Sequence, residues 1–405
     1  VITTAFDPQP LPRLTPADGR TFPLTQNPSL ASVVGRIYGR GAGDIDILLP
    51  DLGGKSPQYL TTSDGSRALN GTTAGNPGNQ VLLEPSQLPL ELGGAGEAID
   101  NRQHSLGMQY IIRVTGSLPD GSGPTLRTVG MVYPFVGNEI PNGFLPADGR
   151  TLAMIPGHIA LFQTIGTSYG GNGATTFAIP DLRNHLPVGA IFQTVDGKRR
   201  NFLPGQKLGN ATLQLDKASL PMDGEPTTQA LETIQPSMGM HYVINTQGNF
   251  GALDQDVSLL GQVSLFAGRD VPQGWTLAHG QEIPIRANPL LYLRLGNTFG
   301  GDGETTFALP DLRGRTVIGT GGPQGLNLGD MQGSYIETIT EANVPELVVP
   351  SPGVHLVDDS GLVDADNITN EIEFDVTGLW PQFTVQYSFD GQTWSRVVRN
   401  IIDTL

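Results

Sequence analysis

The stretch Phe299-Gly300-Gly301-Asp302-Gly303-Glu304-Thr305-Thr306-Phe307-Ala308-Leu309-Pro310-Asp311-Leu312-Arg313 decides how this chain is read. It is a glycine-rich loop that runs into a short strand, and Pro310 ends the strand because proline cannot donate to a ladder. Tyr169 to Leu182 follows the same pattern, and a looser version leads from Tyr38-Gly39-Arg40-Gly41-Ala42-Gly43 to Leu49-Pro50-Asp51-Leu52. Pro50-Asp51, Pro180-Asp181 and Pro310-Asp311 recur at a constant spacing of 130 residues. A fixed long period means one folding unit copied in tandem.

The period extends outward from that phrase. Each copy has a turn upstream: Ala17-Asp18-Gly19-Arg20-Thr21, Ala147-Asp148-Gly149-Arg150-Thr151 and Ala278-His279-Gly280-Gln281-Glu282. Asp-Gly between apolar flanks predicts a tight turn. A short helix is predicted next. Leu30 and Val34, Leu161 and Ile165, and Leu291 and Leu295 are each four apart and share a helix face. Asn27-Pro28 and Asn288-Pro289 predict an N-cap followed by proline at the first helical position, and Gly35, Gly166 and Gly296 predict the stops. Two copies finish with a matching strand, Gly107-Met108-Gln109-Tyr110-Ile111-Ile112 and Gly239-Met240-His241-Tyr242-Val243-Ile244. The third copy has no such strand in register. Val385-Gln386-Tyr387 echoes it faintly, inside an alternating stretch that ends at an Asp390-Gly391 hairpin signal.

These signals predict an α+β, β-rich fold. Repeats of about 130 residues span 1–128 (divergent), 129–258 and 259–349, and a small β-rich C-terminal module spans 350–405.

Composition limits the function. Gly (54) and Pro (32) make up about a fifth of the 405 residues, against roughly 12% on average, which implies many turns and short elements. The net charge is −16, with 23 Lys and Arg against 39 acids, which argues against nucleic acid as a partner. There is no cysteine, hence neither disulfide nor thiolate metal site. No apolar run approaches the ~20 residues that span a bilayer. The chain begins at Val1 rather than Met, which leaves open a removed N-terminal segment.

The run from Phe266-Ala267-Gly268 through Pro272-x-Gly274-Trp275 to the Gly300–Arg315 phrase resembles the phage tail collar domain, a family that includes the microcystin-dependent proteins. The third copy matches best and the first least. The resemblance implies a non-enzymatic module of tail fibres and bacterial surface or secreted proteins, serving assembly and adhesion. Many such domains carry a His-x-His metal pair after a Leu-Pro. Here Leu90-Glu91, Met222-Asp223 and Glu346-Leu347 stand at those places, so the implied metal site is absent.

Other motifs have structural readings beside their functional ones. Gly166-Thr167-Ser168-Tyr169-Gly170 fits the hydrolase elbow pattern, but it follows a helix, and Thr298 replaces the serine one period on. The six histidines lack zinc spacing. Asp364, Asp366 and Asn367 offer alternating oxygen ligands, making calcium the one candidate cofactor, against a solvated acidic loop. Asp51, Asp181 and Asp311 are expected to hold turns rather than perform chemistry.

The expected function is a non-enzymatic structural subunit of an extracellular filament or tail-like fibre, located on a cell-surface appendage or virion tail. Its expected partner is itself. The alternative is a receptor-binding or adhesive tip that recognises a cell-surface glycan or receptor. A secreted enzyme is disfavoured. The third copy, lacking its last strand, is expected to present an open sheet edge. The candidate assembly strands are Val1–Phe6 and Val385, Tyr387 and Phe389.

Overall fold

The computed structural model describes residues 3–4, 14–23, 25, 28–34, 37–39, 46–60, 73–74, 83–89, 95–103, 105–119, 127–137, 139–195, 198–221, 231–248, 250, 258–321, 325–334, 336–340, 343–344, 353–356, 374–377, 386–387 and 395–396. The chain folds into two compact units that cut across the repeats. One comprises 1–79, 100–211 and 233–335, the other 80–99, 212–232 and 336–405.

In the first unit each repeat builds a strand–helix–strand element. The strand pairs are Thr21–Pro23 with Asp46–Leu48, Thr151–Ala153 with Thr176–Ala178, and Glu282–Pro284 with Thr306–Ala308, all antiparallel. Helix α1 (Pro28–Val34), α2 (Ile159–Ile165) or α3 (Pro289–Leu295) lies between the two strands of each pair. Val34, Leu161, Ile165, Leu291 and Leu295 are buried, as the four-residue spacing predicted. They face Ile47, Phe177 and Phe307, the central residues of the second strands, all three of which are buried. Phe177 packs on Phe162, and Phe307 on Tyr292, with ring centroids 5.4 Å apart in both repeats. Burial of each large apolar side chain contributes about 1.5–3 kcal/mol.

Two helix stops are as expected: Gly166 N–H donates to Phe162 O and Gly296 N–H to Tyr292 O. The caps differ. Asn288 does not accept a helix N–H; its Nδ2 donates to Pro284 O at 3.2 Å, because a 3-10 turn, Ile285–Ala287, precedes the helix and holds Asn288 at φ −134°. Asn27 and Gly35 lie outside the described residues. The glycine-rich loops are tied by one side chain each. Asn172 Oδ1 accepts from the N–H groups of Ala174, Thr175 and Thr176, and Asp302 Oδ1 from those of Glu304, Thr305 and Thr306.

The principal sheet joins consecutive repeats. The closing strand of repeat one, Gln109–Arg113, pairs with Met131–Phe135 and Phe144–Pro146 of repeat two. The closing strand of repeat two, Ser237–Asn245, pairs with Gln262–Phe266 and Trp275–Leu277 of repeat three. Repeats one and two therefore each complete the sheet of the next. The main core draws on all three repeats, including Tyr110, Ile165, Phe177, Met240, Phe307 and Leu309.

The second unit is triplicate as well. Leu83 and Leu88, Leu215 and Leu220, and Ile339 and Val344 repeat one five-residue spacing and pack into a single cluster. Tight turns separate the members of each pair: Gln87 N–H bonds Glu84 O, Ser219 N–H bonds Asp216 O, and Asn343 N–H bonds Thr340 O. In the C-terminal region, Gln386–Tyr387 pairs with Ser395–Arg396, antiparallel across the predicted hairpin.

Candidate assembly site

The repeated Pro-Asp-Leu phrase docks on the upstream glycine turn of its own repeat, Asp-Gly in the first two and His279-Gly280 in the third. Gly19, Gly149 and Gly280 donate to Pro50 O, Pro180 O and Pro310 O, and Leu52, Leu182 and Leu312 donate to Ala17 O, Ala147 O and Ala278 O. The glycine in that turn is required on two counts: Gly149 has φ +74°, and an added Cβ there would stand 2.7 Å from Asp181 Cβ.

The three aspartates then hold the chain that follows. Asp51 accepts from Gly53 N–H at 3.0 Å and Lys55 Nζ at 2.7 Å. Asp181 accepts from Arg183 Nε at 2.8 Å and Lys207 Nζ at 2.9 Å, and Asp311 from Arg313 Nε at 2.9 Å and Nη2 at 2.8 Å. Burial raises the Asp181 carboxyl, but the bonds from Arg183 and Lys207 outweigh it and bring it down to about 2. The Arg313 bond likewise holds Asp311 below its ordinary value, and burial opposes it. A carboxylate so fixed, with its oxygens on cations, is an anchor for the turn.

The anchored turn forms the seams between repeats. Asn184 N–H bonds Tyr59 O at 2.6 Å, Gly314 N–H bonds Gly189 O at 2.8 Å, and Gly54 N–H bonds Gly319 O at 2.9 Å. Positions 54, 184 and 314 are one period apart, as are 59, 189 and 319. The three bonds thus run from repeat two to one, three to two, and one to three. One head-to-tail contact, made three times, returns to its start and closes a ring within a single chain. Gly54, Asn184 and Gly314 all adopt left-handed φ of 56° to 66°, and Asn184 is the only non-glycine with positive φ among the described residues. At the seams the backbones touch: a Cβ on Gly189 would lie 1.8 Å from Leu312 O, and one on Gly319 2.0 Å from Leu52 O.

Inside the ring, two closing strands occupy equivalent places. Ser105–Gly107 runs parallel to Ser56–Gln58, and the start of Ser237–Asn245 runs parallel to Leu186–Gly189. Tyr110 Oη donates to Pro57 O at 2.9 Å, and Tyr242 Oη to Pro187 O at 3.2 Å. The corresponding segment of repeat three, Thr316–Ile318, belongs to no strand among the described residues. It borders a groove of about 350 Å³, also lined by Thr3, Thr4, Val263, Leu326 and Met331. Thr3–Thr4, the opening strand of repeat one, pairs antiparallel with Val263 and Gln262 of repeat three in the same chain.

The remaining sequence candidates fall as follows. Val1 and Phe6 lie outside the described residues, as do Val385, Phe389, Asp364, Asp366 and Asn367, whereas Tyr387 lies in the Gln386–Tyr387 strand. Pro50, Pro180 and Pro310 stand with their aspartates at the turns. Ser168 follows α2 and precedes a strand, the reverse of the strand–turn–helix order an activated serine requires. His158 Nδ1 lies 3.0 Å from Ala153 O and His185 Nδ1 2.6 Å from Arg183 O, both local packing contacts. No three metal-ligating side chains gather among the described residues, and no described helix is long and apolar enough to cross a membrane. The residues missed from sequence are the seam positions 59, 189 and 319. Their signal was the period itself, applied to positions whose residue types differ.

Three segments match the family model described as Phage Tail Collar Domain: residues 2–57, 130–187 and 261–317. No curated protein and no solved structure matches the chain.

Proposed function

Because this chain carries three tandem phage tail collar domains, we propose that it is a self-associating structural subunit of an extracellular filament or tail-like fibre, without catalytic activity. The collar domain is a structural domain of tail fibres, and its presence implies a tail- or virion-associated protein. One observation carries the assembly role. The matched segments end at 57, 187 and 317, at the inner strands whose ends form the seams. The family-matched part of each repeat therefore ends at the inner segment, and in repeat three that segment, Thr316–Ile318, runs beside no strand among the described residues, which leaves an edge for a second copy to complete. That open edge is what supports joining between copies as the role of this chain.

The adhesive-tip reading draws on α3, where Leu293 and Leu290 are 71% and 55% exposed on a helix whose other leucines are buried. Negative-stain microscopy of the purified chain separates the two readings. Fibres or linear arrays support the subunit reading. Discrete particles that bind glycan-coated surfaces support the tip.

A further inference from the structure

We propose that the groove beside Thr316–Ile318 is a docking slot for a β-strand, residues 382–390, donated by a second copy of this chain. This rests on the fibre reading above and names the contact that would build the fibre.

The two filled places in the same molecule define the ligand. Each holds a nine-residue extended stretch, continuous in Ser237–Asn245 and interrupted at Met108 in Ser105–Arg113, that begins parallel to the inner strand of its own repeat and continues into the sheet of the next. In Ser237–Asn245 the second, fourth, sixth and eighth residues are Met238, Met240, Tyr242 and Ile244, all buried in the main core. In Ser105–Arg113 the same places hold Leu106, Met108, Tyr110 and Ile112, also buried. The sixth residue is the tyrosine whose hydroxyl reaches the inner-strand carbonyl.

The third place has the same walls. Thr316–Gly319 stands one period after Leu186–Gly189, and Thr3 and Thr4 of the first repeat's opening strand line the same groove. Two apolar side chains stand open on it, Ile318 at 38% and Met331 at 69% exposure. Among the described residues no strand runs along Thr316–Ile318.

One stretch of this chain meets the ligand's specification. Between Pro381 and Gly391, residues 382–390 read Gln-Phe-Thr-Val-Gln-Tyr-Ser-Phe-Asp, nine residues free of proline and glycine. The second, fourth, sixth and eighth are Phe383, Val385, Tyr387 and Phe389, and the other five are polar. The alternation suits a strand with one buried face, and the tyrosine falls sixth, as in both templates. The connection also differs in length. Gln382 comes 63 positions after Gly319, whereas Ser237 comes 48 after Gly189 and Ser105 comes 46 after Tyr59. About 15 extra residues extend the arm's reach by up to about 50 Å, enough to pass the strand to a neighbour. Main-chain bonds to an inserted strand supply affinity, and the alternating pockets supply register. A contact of this kind, made by each copy on the next, is head-to-tail and propagates as a linear polymer.

The test uses the absence of native cysteine. Val188 faces Gly239 in the parallel register, so Ile318 is expected opposite Thr384, at a spacing a disulfide can bridge. Full-length chains carrying Ile318→Cys alone and Thr384→Cys alone are co-expressed and oxidised. The expected result is a disulfide-linked pair of the two chains. It should be lost when the donor also carries Tyr387→Asp and Phe389→Asp, and absent when Thr393→Cys replaces Thr384→Cys. In one chain, Ile318→Cys with Thr384→Cys should give a ladder of covalent oligomers. A cross-link confined to single chains shows that each copy fills its own slot and overturns the proposal, as does no cross-link. Sedimentation of the same samples keeps the two readings apart. Assembly without the cross-link refutes the slot and leaves the fibre role intact, whereas a single 43.0 kDa species refutes the fibre role.

Discussion

Replacing Gly189 with alanine strikes the seam between the second and third repeats. The added Cβ would stand 1.8 Å from Leu312 O and 2.7 Å from Leu312 C. A carbon and a carbonyl oxygen need more than 3 Å, so the two backbones must part by over an ångström. Two hydrogen bonds bridge that gap, Gly314 N–H to Gly189 O at 2.8 Å and Gly189 N–H to Arg315 O at 2.9 Å. Leaving such groups without partners costs about 1–3 kcal/mol each. The expected loss is about 2–6 kcal/mol, large against a total of about 5–15 kcal/mol. It should appear in thermal unfolding as a drop on the order of 5–10 °C. Gly157→Ala is the control, since a Cβ there meets nothing within 4 Å, and it should leave stability within about 0.5 kcal/mol. Equal melting of the two variants would refute the closed ring of seams.

Asp181→Asn should destabilise at neutral pH and not at strongly acid pH. The folded carboxyl, at about 2 against an ordinary 3.8, binds its proton less readily than in the unfolded chain. Its stabilising contribution is present above about pH 4 and is lost as the pH falls toward 2. Its side chain is 22% exposed, and with screening by solvent the contribution is about 1–2 kcal/mol, read as a difference in urea midpoint that closes on acidification. Phe307→Ala empties a fully buried site beneath α3 and should cost about 3–5 kcal/mol in chemical denaturation. Deleting residues 1–6 removes the pairing of Thr3 and Thr4 with Val263 and Gln262. Melting should fall while assembly persists, because that strand is used within its own chain; loss of assembly would show that the N-terminus is the donor.

The repeats, the three helices and the turns were legible because they are local. A four-residue spacing marks a helix face, and a proline marks a strand end. Among the described residues no strand runs along Thr316–Ile318, and the lack of a Met-x-Tyr strand in register in repeat three was legible too. The closure of the repeats on one another was not. It depends on backbone groups at Tyr59, Gly189 and Gly319, where the side chains differ and the carbonyl does the bonding. The second unit escaped notice for a similar reason. Leu83, Leu215 and Ile339 sit in segments assigned to separate repeats, and only chain topology brings them to one cluster. Asn288 misled because a cap depends on the approach of the chain, and the preceding 3-10 turn sets that approach.

As a proposed fibre subunit, this chain should join copies of itself in solution. Analytical ultracentrifugation of the unmodified protein over a hundredfold range of concentration tests it most directly. The average mass should rise above 43.0 kDa with concentration and continue into an open-ended series. A single species of 43.0 kDa at every concentration would contradict it.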